Sequence, residues 1–253
     1  MIQRYSVVRS MPVWMCLVAT SALAEPGSYF VRTNTSGGAL LVDGETQIEL
    51  SRSDFRGEAF GSANLADGRL KAFVSGIDPA NTNGMWVDFG ETISVIGVTE
   101  PMVVTLTMMV SGSLSGTVPY ANARLQVGNA GFDCRPGVCL FDGPTSDTDS
   151  WQWASPPDKS VDRLFSVQRT LTPENSTFSF VAALQLTANA GGTADFSHTA
   201  TMMFELPPGL TFTSASGVFL SPVPEPMTAA LFALGVGVLC VRRKELAVGP
   251  HAS

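Results

Sequence analysis

Apolar and polar side chains alternate along most of this chain with a period of two. Between Met102 and Val110, Met102, Val104, Leu106, Met108 and Val110 share one face, and Val103, Thr105, Thr107 and Met109 share the other. Successive residues of an extended chain point to opposite sides, so this spacing predicts a strand with one strongly apolar face. A second such strand carries Phe178, Phe180, Ala182, Leu184 and Leu186 against Thr177, Ser179 and Gln185. A third carries Ala200, Met202, Phe204 and Leu206 against Thr199, Thr201 and Glu205. Shorter segments with the same tendency run from Tyr29 to Arg32, Ala39 to Val42, Thr46 to Leu50, Leu70 to Ser75 and Met85 to Phe89. They continue from Thr92 to Val98, Arg124 to Val127, Leu164 to Arg169, Leu210 to Thr213 and Gly217 to Leu220. Turn formers separate them: Gly37-Gly38, Asp43-Gly44, Asp67-Gly68, Asn83-Gly84, Gly191-Gly192 and Pro207-Pro208-Gly209. Many short strands joined by turns, with almost no helical period, predict an all-β antiparallel sandwich of jelly-roll or immunoglobulin-like type.

Both ends break this pattern. Arg4 and Arg9 precede a mostly apolar stretch from Met11 to Leu23, and Ala22-Leu23-Ala24 before Glu25 is a small-x-small cleavage site. These are the parts of a secretory signal peptide, residues 1–24, handled by the Sec export machinery. At the other end Val223-Pro224-Glu225-Pro226 leads into an uncharged run from Met227 to Val241, followed by Arg242-Arg243-Lys244. The prolines fix φ and withhold backbone donors, which holds the motif extended and open to a processing enzyme. As a helix the apolar run reaches roughly 22 Å, short of a bilayer core of about 30 Å. On hydropathy alone it fits a short membrane anchor or a buried core helix. The prolines and the basic cluster favour the membrane reading, with the cations as a cytoplasmic stop.

The tail, residues 222–253, resembles the PEP-CTERM sorting signal of Gram-negative bacteria. Pro224-Glu225-Pro226 supplies the motif, 227–241 the transmembrane helix and Arg242-Arg243-Lys244 the basic cluster; Glu245 to Ser253 extends past the family's usual abrupt end. The resemblance implies a substrate of exosortase, an integral-membrane processing enzyme, in a strain that makes exopolysaccharide. It also implies transient residence at the inner membrane, then the cell surface or the extracellular matrix. The segment from Asp195 through Pro207-Pro208-Gly209 to Gly217 resembles the strands that commonly precede such a tail.

The body, residues 25–221, suits one sandwich domain. Setting aside the charges of the leader and of the tail beyond Pro226 leaves 10 basic and 21 acidic residues, a net of −11. That surface repels phosphate backbones, which argues against nucleic acid, and favours solubility outside the cell. Calcium is the cation such a surface would attract, though no specific ligand set points to it; no cofactor and no metal site are expected. Cys16 leaves with the leader and Cys240 lies in the apolar run. Cys134 and Cys139 therefore remain in the body, on either side of Pro136-Gly137. In an oxidising compartment they are expected to form a disulfide that pins a loop.

Residues 131–160 read as an irregular insertion holding this pair, Asp142, Asp147, Asp149 and then Trp151-Gln152-Trp153. Indoles stack on pyranose faces and carboxylates accept from hydroxyls, so Trp151, Trp153, Asp147 and Asp149 form a candidate sugar-binding edge. The competing reading is a surface loop whose tryptophans cover the core. Catalytic residues are not expected. His198 is the body's single histidine, on the polar phase of a strand, and no Gly-x-Ser-x-Gly elbow accompanies it. Two functions stay open: a non-catalytic exported matrix protein, and a carbohydrate-binding module using the Trp151/Trp153 loop, with glycoside hydrolysis a third.

Overall fold

The computed structural model describes residues 29–220 apart from 36–37, 44, 79, 118, 136–137 and 155–158. Every regular element among them is a strand, and every strand pairing is antiparallel. One sheet contains β1 (Tyr29–Thr35), β2 (Gly38–Asp43), β6 (Asn83–Ile96), β8 (Tyr120–Gly128), β11 (Thr145–Ala154), β13 (Thr177–Ala188) and β15 (Thr211–Ser214), in the order β11-β8-β13-β6-β1-β2. The short β15 pairs with the far end of β6, beyond the point where β1 begins opposite Glu91. The other sheet contains β3 (Gln47–Asp54), β4 (Gly57–Asn64), β5 (Arg69–Ser75), β7 (Met102–Gly116), β12 (Lys159–Leu171) and β14 (Gly192–Glu205), in the order β12-β7-β14-β5-β4-β3. A separate hairpin pairs β9 (Phe132–Arg135) with β10 (Val138–Phe141).

The inner faces of the two large sheets form one core. Phe89, Ile93, Leu125, Phe180 and Leu184 enter from the first sheet and Leu70, Leu106, Met108, Phe165 and Met202 from the second, all fully or almost fully buried. This is the interdigitation of alternating inward residues that the period-two pattern predicts. An antiparallel β-sandwich is therefore the architecture of the described chain.

Four local expectations change. The segments Met85 to Phe89 and Thr92 to Val98 belong largely to a single long strand, because Gly90 does not break it. A Cβ at Gly90 would stand 2.3 Å from the Phe30 ring and 2.8 Å from that of Phe132, so glycine marks a close approach of two rings. Asn83-Gly84 begins β6 instead of turning: the Asn83 amide, which a turn would leave in solvent, is buried and donates to Glu58 O at 2.9 Å and Ser75 O at 2.8 Å. Gly217 to Leu220 is a turn segment, not a strand. Residues 131–160 are mostly regular, holding the β9–β10 hairpin, β11 and the start of β12. Gly131 and Gly143 take positive φ at turns, and Asp147 and Asp149 lie on the edge strand β11.

Candidate functional site

β11 and β12 are edge strands of opposite sheets and lie against each other, so the sandwich is closed along this side. Asp147, Asp149, Trp151 and Trp153 oppose Val127, Leu125, Ala123 and Ala121 of β8, which places all four on the inward phase of β11. Trp153 enters the core: it is 5% exposed and packs on Phe165 at 6.1 Å and Phe196 at 5.9 Å. Trp151 reaches past the rim. It is 48% exposed, with the Arg163 guanidinium 4.4 Å from its ring centre.

The two carboxylates bridge the sheets. The Ser166 backbone N–H donates to Asp149 Oδ2 at 3.1 Å, and that of Gln168 donates to Asp147 Oδ2 at 2.7 Å. Arg163 pairs with Asp149 Oδ1 at 3.2 Å. An edge strand leaves alternate amides without a neighbour, and here aspartates from the facing sheet take two of them. Of the four residues read as a sugar-binding edge, Trp153 is thus engaged in the core and the aspartates in closure, while Trp151 keeps an open surface.

The remaining candidates are distributed elsewhere. Cys134 and Cys139 are direct cross-strand partners in the β9–β10 hairpin. His198 stands exposed on a bulge where β14 slips register against both neighbours. Ala22, Ala24 and Glu25 of the leader, Val223, Pro224, Glu225 and Pro226 of the motif, and Arg242, Arg243 and Lys244 of the basic stop lie outside the described residues. Among the described residues no helix is long and apolar enough to cross a membrane.

The outer face of the first sheet carries a second polar cluster, which the alternation pattern assigns to solvent but does not assemble. Register aligns Arg32 of β1, Asp88 of β6, Ala183 of β13 and Arg124 of β8 in one row. The Arg32 guanidinium grips the Asp88 carboxylate with both ends, Nε at 2.8 Å from Oδ1 and the second nitrogen on Oδ2. Both side chains are buried although they project away from the core. Burial pushes the Asp88 carboxyl up, and Arg32 and Arg124 oppose it. Arg124 is lowered by its own burial while Asp88 works the other way. The next row is Asn34, Trp86, Gln185 and Asn122, followed by Gly84, Thr187 and Tyr120. Arg32 lies 5.4 Å from the Trp86 ring centre. On the other side of the Arg32 row the β9–β10 hairpin covers the sheet, seating Phe132 and Phe141 against Phe30 and Val181.

The C-terminal end of the body is clasped separately. Glu91, on the inward phase of β6 and fully buried, accepts from the Ser216 backbone N–H at 3.2 Å, from its hydroxyl, and from the Thr92 N–H at 3.0 Å. Burial raises its carboxyl to about 7 even though these hydrogen bonds pull the other way. Phe219, 1% exposed, then plugs the core against Phe180 at 4.9 Å, Phe212 at 6.4 Å and Phe89 at 6.5 Å.

No family model matches the chain, and no curated protein matches it. Among solved structures it is similar to the enzymatically active domain of tailspike protein 4 from bacteriophage CBA120. The identity is 10%, the coverage is 71% of this chain and 20% of that one, and the TM-score is 0.24. The chain thus spans about a fifth of that domain's length.

Proposed function

We propose that this is an exported cell-surface or extracellular-matrix protein with a non-catalytic sandwich. It is held at the inner membrane by 227–241, processed by exosortase at Pro224-Glu225-Pro226, and works alongside exopolysaccharide. The observation that supports this reading best is the completion of the core at Phe219. With that ring packed on Phe89, Phe180 and Phe212, and Ser216 held by Glu91, the described body closes four residues before Val223. Cleavage at the motif would remove none of the described core side chains, which suits a detachable sorting handle. The opposed positions of Cys134 and Cys139 also suit a disulfide, since directly paired strand residues have Cα atoms about 4.5–5.5 Å apart, within the range a disulfide spans.

Intact-mass measurement of the protein recovered from an exosortase-positive host tests both claims. The expected mass is that of a chain starting at Glu25 and lacking 227–253, lowered by the two hydrogens a disulfide removes. A chain that still carries Met227 to Ser253 would refute processing.

A further inference from the structure

The outer face of the first sheet has the makings of a ligand surface distinct from the β11 edge. Four strands, β1, β6, β13 and β8, provide it with outward residues in register. Trp86 stands between two unlike neighbours on its own strand: Asp88, locked to Arg32, on one side and Gly84, which has no side chain, on the other. The indole N–H works against the upward shift that burial imposes on the Asp88 carboxyl but makes no hydrogen bond of good geometry. Guanidinium contact at 5.4 Å and the neighbouring carboxylate thus restrain the ring from one side. On the other side the missing side chain opens a shallow depression of about 370 Å³, lined by Asn34, Thr82, Gly84, Trp86, Gln185 and Thr187.

The lining defines the ligand class. It pairs one restrained aromatic surface with amides and hydroxyls that donate and accept, and no charged side chain lines the depression. Arg32, the nearest cation, is neutralised by Asp88. Beyond Gln185 the same face continues through Asn122 to Tyr120, whose hydroxyl accepts from Asn122 Nδ2 at 3.3 Å. β6 and β8 are separated by β13, so the two aromatics are at least about 10 Å apart across strands spaced about 4.8 Å. Two aromatic surfaces that far apart with amides between them fit alternate rings of an extended sugar chain: apolar pyranose faces lie on the aromatics, and sugar hydroxyls exchange hydrogen bonds with the amides. The net charge of −11 between Glu25 and Pro226 disfavours a polyanionic chain.

We infer that this face, centred on Trp86 and running through Gln185 and Asn122 to Tyr120, binds a neutral pyranose oligosaccharide. The inference gives the polysaccharide association of the proposed function a physical site, but it does not depend on processing of the tail. Intact mass and glycan binding therefore fail independently.

Titration calorimetry on the exported protein with cellohexaose, xylohexaose, mannohexaose and hexaguluronate tests it. At least one neutral hexamer is expected to bind, and Trp86→Ala is expected to weaken it about tenfold or more. Tyr120→Ala is expected to weaken the same hexamer less. Gly84→Val supplies a variant that leaves the aromatic face intact: a Cβ there meets only Leu186 O at 3.5 Å and Thr187 Cγ2 at 3.6 Å, so the strand tolerates it while the depression fills. It should weaken binding with an unchanged melting temperature. Leu164→Ser, on the outer face of the other sheet, should leave binding as it is. Absence of binding to all three neutral hexamers, binding confined to hexaguluronate, or unchanged affinity in both Trp86→Ala and Gly84→Val would overturn the inference. Loss in Trp151→Ala with retention in Trp86→Ala would overturn it in favour of the β11 edge.

Discussion

Glu91 occupies an inward position of a strand whose other inward residues are mostly apolar, and its environment converts a sequence oddity into a measurable property. Its native carboxyl, raised to about 7 by burial, holds a proton that the unfolded chain releases near the ordinary value of 4.5. The native state therefore binds more protons between these values, and this group's contribution to stability falls as pH rises through that window and levels off above about 7. Glu91→Gln keeps the shape of the protonated acid, so it should flatten the slope and stabilise the protein at pH 8 by on the order of 1–3 kcal/mol, with little change at pH 4. Urea melts at pH 4, 6 and 8 read this directly; parallel curves for the two proteins would contradict it. The tryptophans make a related point. Trp-x-Trp spacing puts both indoles on one face, yet only Trp153 lies over Phe165 and Phe196 between the sheets. Trp153→Ala should cost about 3–5 kcal/mol by leaving a cavity, whereas Trp151→Ala should stay within about 1 kcal/mol. Comparable losses in denaturant melts would show that depth in the core does not separate them.

At the scale of elements, the edges explain the residues that composition alone misplaces. Asp147 and Asp149 alternate with Thr148 and Ser150, so β11 has polar residues on both phases and reads as loop. Tertiary contact turns it into a strand, because the inward carboxylates find the amides of Ser166 and Gln168 on the opposite sheet. Replacing both aspartates by alanine should expose those amides, cost about 1–3 kcal/mol, and promote edge-to-edge association. Thermal melts combined with light scattering would test this, and a variant that stays as stable and as monomeric as the parent would refute the closure role. The β9–β10 hairpin was equally hard to read. Its function in packing is to roof Phe30 and Val181, residues more than a hundred and about forty positions away from it in sequence. By contrast, β7, β13 and β14 were legible because a continuous apolar phase leaves few alternative registers.

For the whole molecule, sequence alone determined most of the strand pattern, hence the antiparallel sandwich class, together with the charge balance and the motifs at both ends. Those depend on local period and local chemistry, and both are written in consecutive residues. Tertiary structure decided everything that depends on register between distant strands. It brought Arg32, Asp88 and Arg124 into one row, set Trp86 beside the space above Gly84, and carried Phe219 back between Phe89 and Phe180. Alternation tells which face a residue occupies, but the partner across the sheet follows from the pairing of strands as distant in sequence as those of Arg69 and Thr201. The proposed sorting address consequently rests on consecutive residues, while the proposed ligand surface exists only once the sheet has assembled.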